Sequence, residues 1–166
     1  MSALGLTTIR DSPFAEGMAD ITPVSPKTPW HLWVVGGLSL LWNAVGAMDF
    51  TLSETRNAAY LKGLTPEQLE YFSSFPAWAV AAWGIATWGS VVGSALLLCR
   101  RGLAYHLFLA SFLGMVLTMV YNYILTNGLK AMGGGVGSLI FSAVIVVIGV
   151  LLLVYSRAMR RRGVLR

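Results

Sequence analysis

Four stretches of about 20 apolar residues account for most of this chain, and each is the length needed to cross the hydrocarbon core of a bilayer. Inside lipid no water is available to satisfy a bare backbone, so such stretches fold as helices. The expected fold class is therefore all-α: a polytopic membrane protein, a four-transmembrane-helix bundle with spans at about 30–52, 77–99, 103–125 and 136–155. Composition agrees. Of 166 residues, 56% are hydrophobic and 11% charged, where a soluble domain carries roughly a quarter charged residues. A formal charge of +5 and a pI near 9.7 would suggest nucleic acid for a soluble protein. Here the basic residues flank the spans, as insertion demands, so no nucleic-acid partner is expected. The single cysteine, Cys99, excludes an intrachain disulfide and a multi-cysteine metal site.

Residues 1–29 are polar, carry four prolines and lack the basic and apolar regions of a signal peptide. They read as a disordered cytoplasmic N-terminal tail, ahead of a membrane domain over 30–156. The first helix is expected to run unbroken from Trp30 to Lys62, past the membrane, until Gly63 stops it. Thr65-Pro66-Glu67-Gln68 then forms a capping box, with Pro66 at the first helical position. It opens a short helix between spans 1 and 2 whose aromatics, Tyr71 and Phe72, suit the water–lipid interface.

The second span is crowded with small residues. Ala82, Ala86, Ser90 and Ser94 repeat every four, with Gly89 and Gly93 as a GxxxG beside them and Gly46 on the first span. Such columns let helices approach closely in lipid. They form a packing face within the chain or, in part, a homodimer face. After the short Arg100-Arg101-Gly102 turn, the third span directs Ser111, Gly114, Thr118 and Asn122 into the bundle. The loop TNGLKAMGGG reads as flexible, the fourth span as a lipid-facing anchor, and residues 157–166 as a basic cytoplasmic tail.

Nine Lys and Arg on one side against three on the other place both termini on the cytoplasmic side of the membrane. Arg100, Arg101, Arg157, Arg160, Arg161 and Arg162 either fix this topology alone or also hold anionic lipid headgroups, at about 1 kcal/mol each. At the other side a polar cluster is expected from Asn43, Asp49, Arg56, Tyr121 and Asn122. Asp49 and Asn122 come out at a similar depth, roughly 12 Å from the midplane. A carboxylate there is costly unless partnered. It serves as a structural clamp, a solute or proton site, or a contact to another subunit. The clamp partners expected are Arg56, Asn122 or a tyrosine hydroxyl. His31 and His106 read as interfacial residues rather than haem ligands, and no cofactor or metal is expected. No nucleotide, hydrolase or metalloprotease motif occurs, so the chain is read as no enzyme.

The segment LLWNAVGAMDF…TRNAAYL…TPEQLEYFSSFPAWAVAAWGIATWGSVVGSALLLCRR resembles a family of small bacterial four-span inner-membrane proteins without assigned activity, sometimes labelled putative sugar transporters. Its most specific pieces are Trp42-Asn43-x-x-Gly46 and Phe75-Pro76-Ala77-Trp78, within about residues 30–125. The chain shares its four spans with DoxX-like proteins but lacks the glutamate these carry in the second span. The function expected is a non-enzymatic structural or accessory membrane component, alone with lipids or within a homo-oligomer or larger membrane complex. The alternative is an oligomeric small-solute, sugar-like transporter that uses the polar cluster.

Overall fold

The computed structural model describes residues 27–166, so the tail expected at 1–29 lies almost wholly outside the described residues. The helices are α1 (His31–Glu54), α2 (Ala58–Leu61), α3 (Pro66–Ser73), α4 (Ala77–Leu98), α5 (Leu103–Val120), α6 (Gly128–Ala131) and α7 (Val136–Arg161). A wider π turn, Tyr121–Leu125, carries α5 onward. Four of these helices, α1, α4, α5 with its π turn, and α7, are long and apolar enough to cross a membrane. Over the described residues the protein is an all-helical membrane protein, and the short α3 sits between its first two spans. Leu38, Leu41, Val45, Ile85, Leu117, Leu151 and Val154 are exposed on the outside of the bundle. Water would not tolerate so continuous an apolar surface, whereas lipid covers it.

Packing starts from α4 and α5. A Cβ on Gly114 would lie 2.6 Å from the Ala82 carbonyl oxygen and 3.1 Å from the Ala86 nitrogen, so the two backbones touch there. Further along, Gly89 faces Ser111, and a Cβ on Gly93 would press on the Phe108 ring at 3.2 Å. The Ser111 hydroxyl donates across the seam to the Ala86 carbonyl. The small residues of the second span are thus consumed inside the chain. The column divides: Ser90 and Ser94 turn to α1 instead, where Asn43 Nδ2 donates to Ser94 Oγ at 3.0 Å and to the Ser90 carbonyl at 3.4 Å. On the other side, a Cβ on Gly149 of α7 would meet the Met115 methyl and the Phe112 ring of α5 at 3.3 Å, so the glycine makes room for both. Large side chains close the remaining gap between α1 and α7. The Trp42 and Phe141 rings lie 6.4 Å apart, and His31 Nδ1 meets the Tyr155 hydroxyl at 2.6 Å.

The helices stop by one recurrent device. At the end of α1 Arg56 takes a left-handed φ of 51°. The N–H groups of Arg56 and Asn57 then return to the carbonyls of Ser53 and Leu52, which satisfies the last turn. This corrects the expected continuous helix to Lys62, because α1 ends at Glu54 and the chain reverses before Gly63 is reached. Arg100 (φ 55°) ends α4 in the same way, and Gly163 (φ 69°) ends α7.

The segment read as a basic tail is also folded. Helix α7 runs through Arg161, and Val164 and Leu165 turn back into a buried cluster with Leu32, Leu97, Ala104, Phe108, Leu152 and Met159. The Arg166 backbone is held on both sides, by its N–H to the Arg100 carbonyl at 2.8 Å and its carbonyl to the Gly102 N–H at 2.6 Å. This end of the bundle carries the arginines and is called the basic end. The opposite, far end carries α2, α3 and α6.

Two measurements follow from this packing. Gly114→Ala should cost about 1–3 kcal/mol, since the methyl meets backbone that cannot yield. Gly37→Ala, with nothing within 4 Å of the new carbon, should be nearly neutral. Equal melting temperatures for the two in mild detergent would show that backbone contact does not set the α4–α5 distance. Arg56→Gly should stabilise by about 1 kcal/mol, because glycine adopts the left-handed conformation without steric cost; an unchanged or lower melting temperature would contradict this.

Candidate functional site

At the far end the reversal after α1 decides what Asp49 meets. The Asn57 side chain accepts from the N–H groups of Ala59 and Tyr60, each at 3.1 Å, and so starts α2 back along a new direction. The Tyr60 hydroxyl thereby returns to Asp49 and donates to its Oδ1. In a continuous helix the two residues would stand about 16 Å apart. Burial, then the hydrogen bond and negative charge of Asp49, hold the Tyr60 phenol above its ordinary pKa. Neither Arg56 nor Asn122 is the partner of Asp49. Arg56 is spent on the chain reversal and is exposed; Asn122 is engaged elsewhere.

Asn122 is buried in the π turn, and its Oδ1 accepts from the Tyr71 hydroxyl at 2.8 Å. Tyr71 belongs to α3, so this bond fixes the short helix to the end of α5. Thr126 Oγ1 lies 2.9 Å from the same hydroxyl and 2.8 Å from the Tyr121 carbonyl. The phenol has one proton to give. With that proton on Asn122, the Thr126 proton completes the contact to Tyr71 or turns to the Tyr121 carbonyl. A Cβ on Gly128 would collide with the Tyr71 hydroxyl, so glycine there leaves room for the ring. Burial pushes the Tyr71 phenol upward, as removal from water disfavours the phenolate.

Aromatic side chains surround this polar centre. Tyr71 of α3 stands edge-on to Phe75, just past the helix end, at 5.2 Å, and Phe75 edge-on to the buried Tyr121 at 4.7 Å. Trp78 meets Tyr121 at 5.5 Å, while Phe72 stacks on Trp83 at 5.8 Å and Phe50 of α1 meets Trp83 at 5.0 Å. The short helix is thus bolted to α4 through Trp83 and to the π turn at the end of α5 through Asn122 and Tyr121. Sequence reasoning included Tyr121 and Asn122 but missed Tyr71 as their hub. The available signal was the hydroxyl of an aromatic in a capped interfacial helix, facing an amide near the end of a span.

The remaining candidates are dispersed. Asn43 lies well along α1 and is tied to α4, apart from the Tyr71 centre. A groove of about 480 Å³ opens between the end of α1, α2 and α3 and includes Ser53, Glu54, Arg56, Glu70 and Phe72 in its walls. Asn43, Asp49, Tyr121 and Asn122 are not among its lining residues. At the basic end an Arg100 guanidinium nitrogen donates to Thr28 Oγ1 at 2.7 Å. Arg160 donates to His106 Nε2 at 3.2 Å and lies 5.6 Å over the Tyr105 ring. Arg101, Arg157, Arg161 and Arg162 are exposed there. Compared with family models, curated proteins and solved structures, the chain matches none.

Removing the hub tests this arrangement. Tyr71→Phe and Asn122→Ala should each loosen α3, and a double-mutant cycle should return a coupling of roughly 0.6 kcal/mol, up to about 1.7. Zero coupling would mean that the aromatic contacts alone dock the helix. Because the folded phenol value is raised, docking through this hydroxyl is complete below the ordinary value of about 10 and is lost as pH climbs through the higher folded value. A phenolate absorbance titration should accordingly show one late-titrating tyrosine fewer in Tyr71→Phe.

Proposed function

We propose that this chain is a non-enzymatic structural or accessory component of the bacterial inner membrane, with both termini on the cytoplasmic side. The observation that carries the reading is the state of its three most membrane-embedded polar candidates. Asn43, Asp49 and Asn122 are each engaged by a neighbouring hydroxyl: Ser94, Tyr60 and Tyr71 respectively. A solute path needs polar groups that exchange protein partners for substrate and water, typically around a shared midplane site. These three are distributed over separate contacts that each join two parts of the chain. The nine-to-three distribution of basic residues supports the orientation, and the resemblance to small four-span inner-membrane proteins supports the location.

The partners proposed are membrane lipids and either further copies or a larger membrane complex. Since the small residues of α4 are used against α5, such association would use the outer faces of α1 and α7, where Leu41, Val45, Leu151 and Val154 are exposed.

A reporter fused after Arg166 should read cytoplasmic and one inserted after Gly63 periplasmic; the reverse pattern would overturn the orientation. Purification in gentle detergent followed by mass spectrometry should recover the chain with protein partners or as an oligomer. For the structural role, Asp49→Asn should cost under about 1 kcal/mol, since an amide still accepts from Tyr60. If Asp49→Asn abolished a cellular phenotype while the protein stayed folded, the charge itself would be functional and the structural reading would fail.

A further inference from the structure

The groove at the far end straddles the boundary of the apolar spans. Its walls take Ser53 and Glu54 from the last turn of α1 and Val80 from the first turn of α4, the far-end termini of the first two apolar spans. Leu61, Leu64, Leu69, Phe72 and Phe75 supply the apolar part of its lining. Three exposed charged residues share that lining: Glu54, Glu70 and Arg56. Among the described residues none of the three has an ion-pair partner, although all line one space of about 480 Å³. Two anions and one cation in a partly apolar lining, at the ends of two apolar spans, describe a receptor for a molecule with the complementary layout: an ammonium, an anionic group beside it, and a hydrocarbon part.

We propose that this groove binds a zwitterionic phospholipid with a primary amine headgroup. Its ammonium sits between Glu54 and Glu70, its phosphate faces Arg56, and the start of an acyl chain lies on Leu64, Leu69 and Phe72. A primary ammonium has three N–H donors for the two carboxylates, whereas a quaternary ammonium has none. An anionic headgroup without an amine meets the carboxylates with like charge. The order of preference is therefore phosphatidylethanolamine over phosphatidylcholine, and both over phosphatidylglycerol. The basic end favours the opposite order, because all four described side-chain carboxylates, Asp49, Glu54, Glu67 and Glu70, lie on α1 near its far end or on α3. The inference is independent of whether the protein is a structural subunit.

Native mass spectrometry of the full chain in neutral detergent, titrated with each of the three lipids, tests this. The wild-type chain should retain one phosphatidylethanolamine at the lowest lipid concentration. Glu54→Gln with Glu70→Gln should lower that affinity by about tenfold or more, through loss of charge-assisted hydrogen bonds, while leaving phosphatidylglycerol binding at the basic end unchanged. These residues sit on the surface, and the melting temperature checks that the variant is folded. Equal retention of phosphatidylethanolamine by wild type and variant would overturn the proposal, as would no preference among the three lipids. Soluble phosphoethanolamine supplies a test on the wild-type chain alone. Weak competition is expected, since it lacks the acyl chain; displacement at concentrations equal to the lipid would overturn the lipid assignment in favour of a soluble zwitterion.

Discussion

The backbone contact at Gly114 is the constraint from which the rest of the bundle follows. In lipid there is no hydrophobic drive between apolar helices, so their association depends on how closely the atoms approach. Gly114 against Ala82 and Ala86 brings two backbones together, and Ser111 adds a hydrogen bond into the same seam. With that pair fixed, α1 is placed by Asn43 on the Ser90–Ser94 edge of α4 and α7 by the Gly149 notch on α5. The first and last spans then meet through large side chains rather than through backbone.

The two ends of the bundle solve different problems. At the basic end the chain needs only a short return between α4 and α5, and the strand-like pairing of Arg166 with Arg100 and Gly102 closes it. Apolar Val164 and Leu165 are buried beneath arginines that remain exposed, so one short segment both seals the core and presents positive charge. At the far end the chain must travel from α1 to α4, and it fills the distance with α2 and α3. These helices are too short to stand alone. They are held by caps at Asn57 and Thr65, by the aromatic contacts around Tyr121, and by the two tyrosine hydroxyls of Tyr60 and Tyr71.

Polar groups in this protein are therefore used chiefly as joints. Asn43, Asp49 and Asn122 each connect separate helices, and each is bonded to a hydroxyl. A hydroxyl is the economical choice near lipid, since it donates, as Tyr60 and Tyr71 do, or accepts, as Ser94 does, without introducing a second charge that must itself be solvated. The groove beside α3 differs in kind. Its three charges have no such joint to make within the described residues.

The amino-acid sequence by itself determined the four spans, the capping box at Thr65 and the small-residue seam, because each is a local or periodic property: apolar length, a four-residue cap and a spacing of four. The structure brought the expected seam residues Ala82, Ala86, Gly89 and Gly93 against α5, and it started α3 at Pro66. Only the tertiary structure decided which partner each polar group would find. Arg56 in a left-handed conformation is not marked by its residue type, as a glycine would be, so the reversal that carries Tyr60 to Asp49 was illegible. The same holds for the Tyr71–Asn122 pair, 51 residues apart, and for the π turn that presents Asn122 to it. Depth along a span follows from counting residues. Azimuth and pairing across 50 residues follow from how helices pack, which counting does not supply.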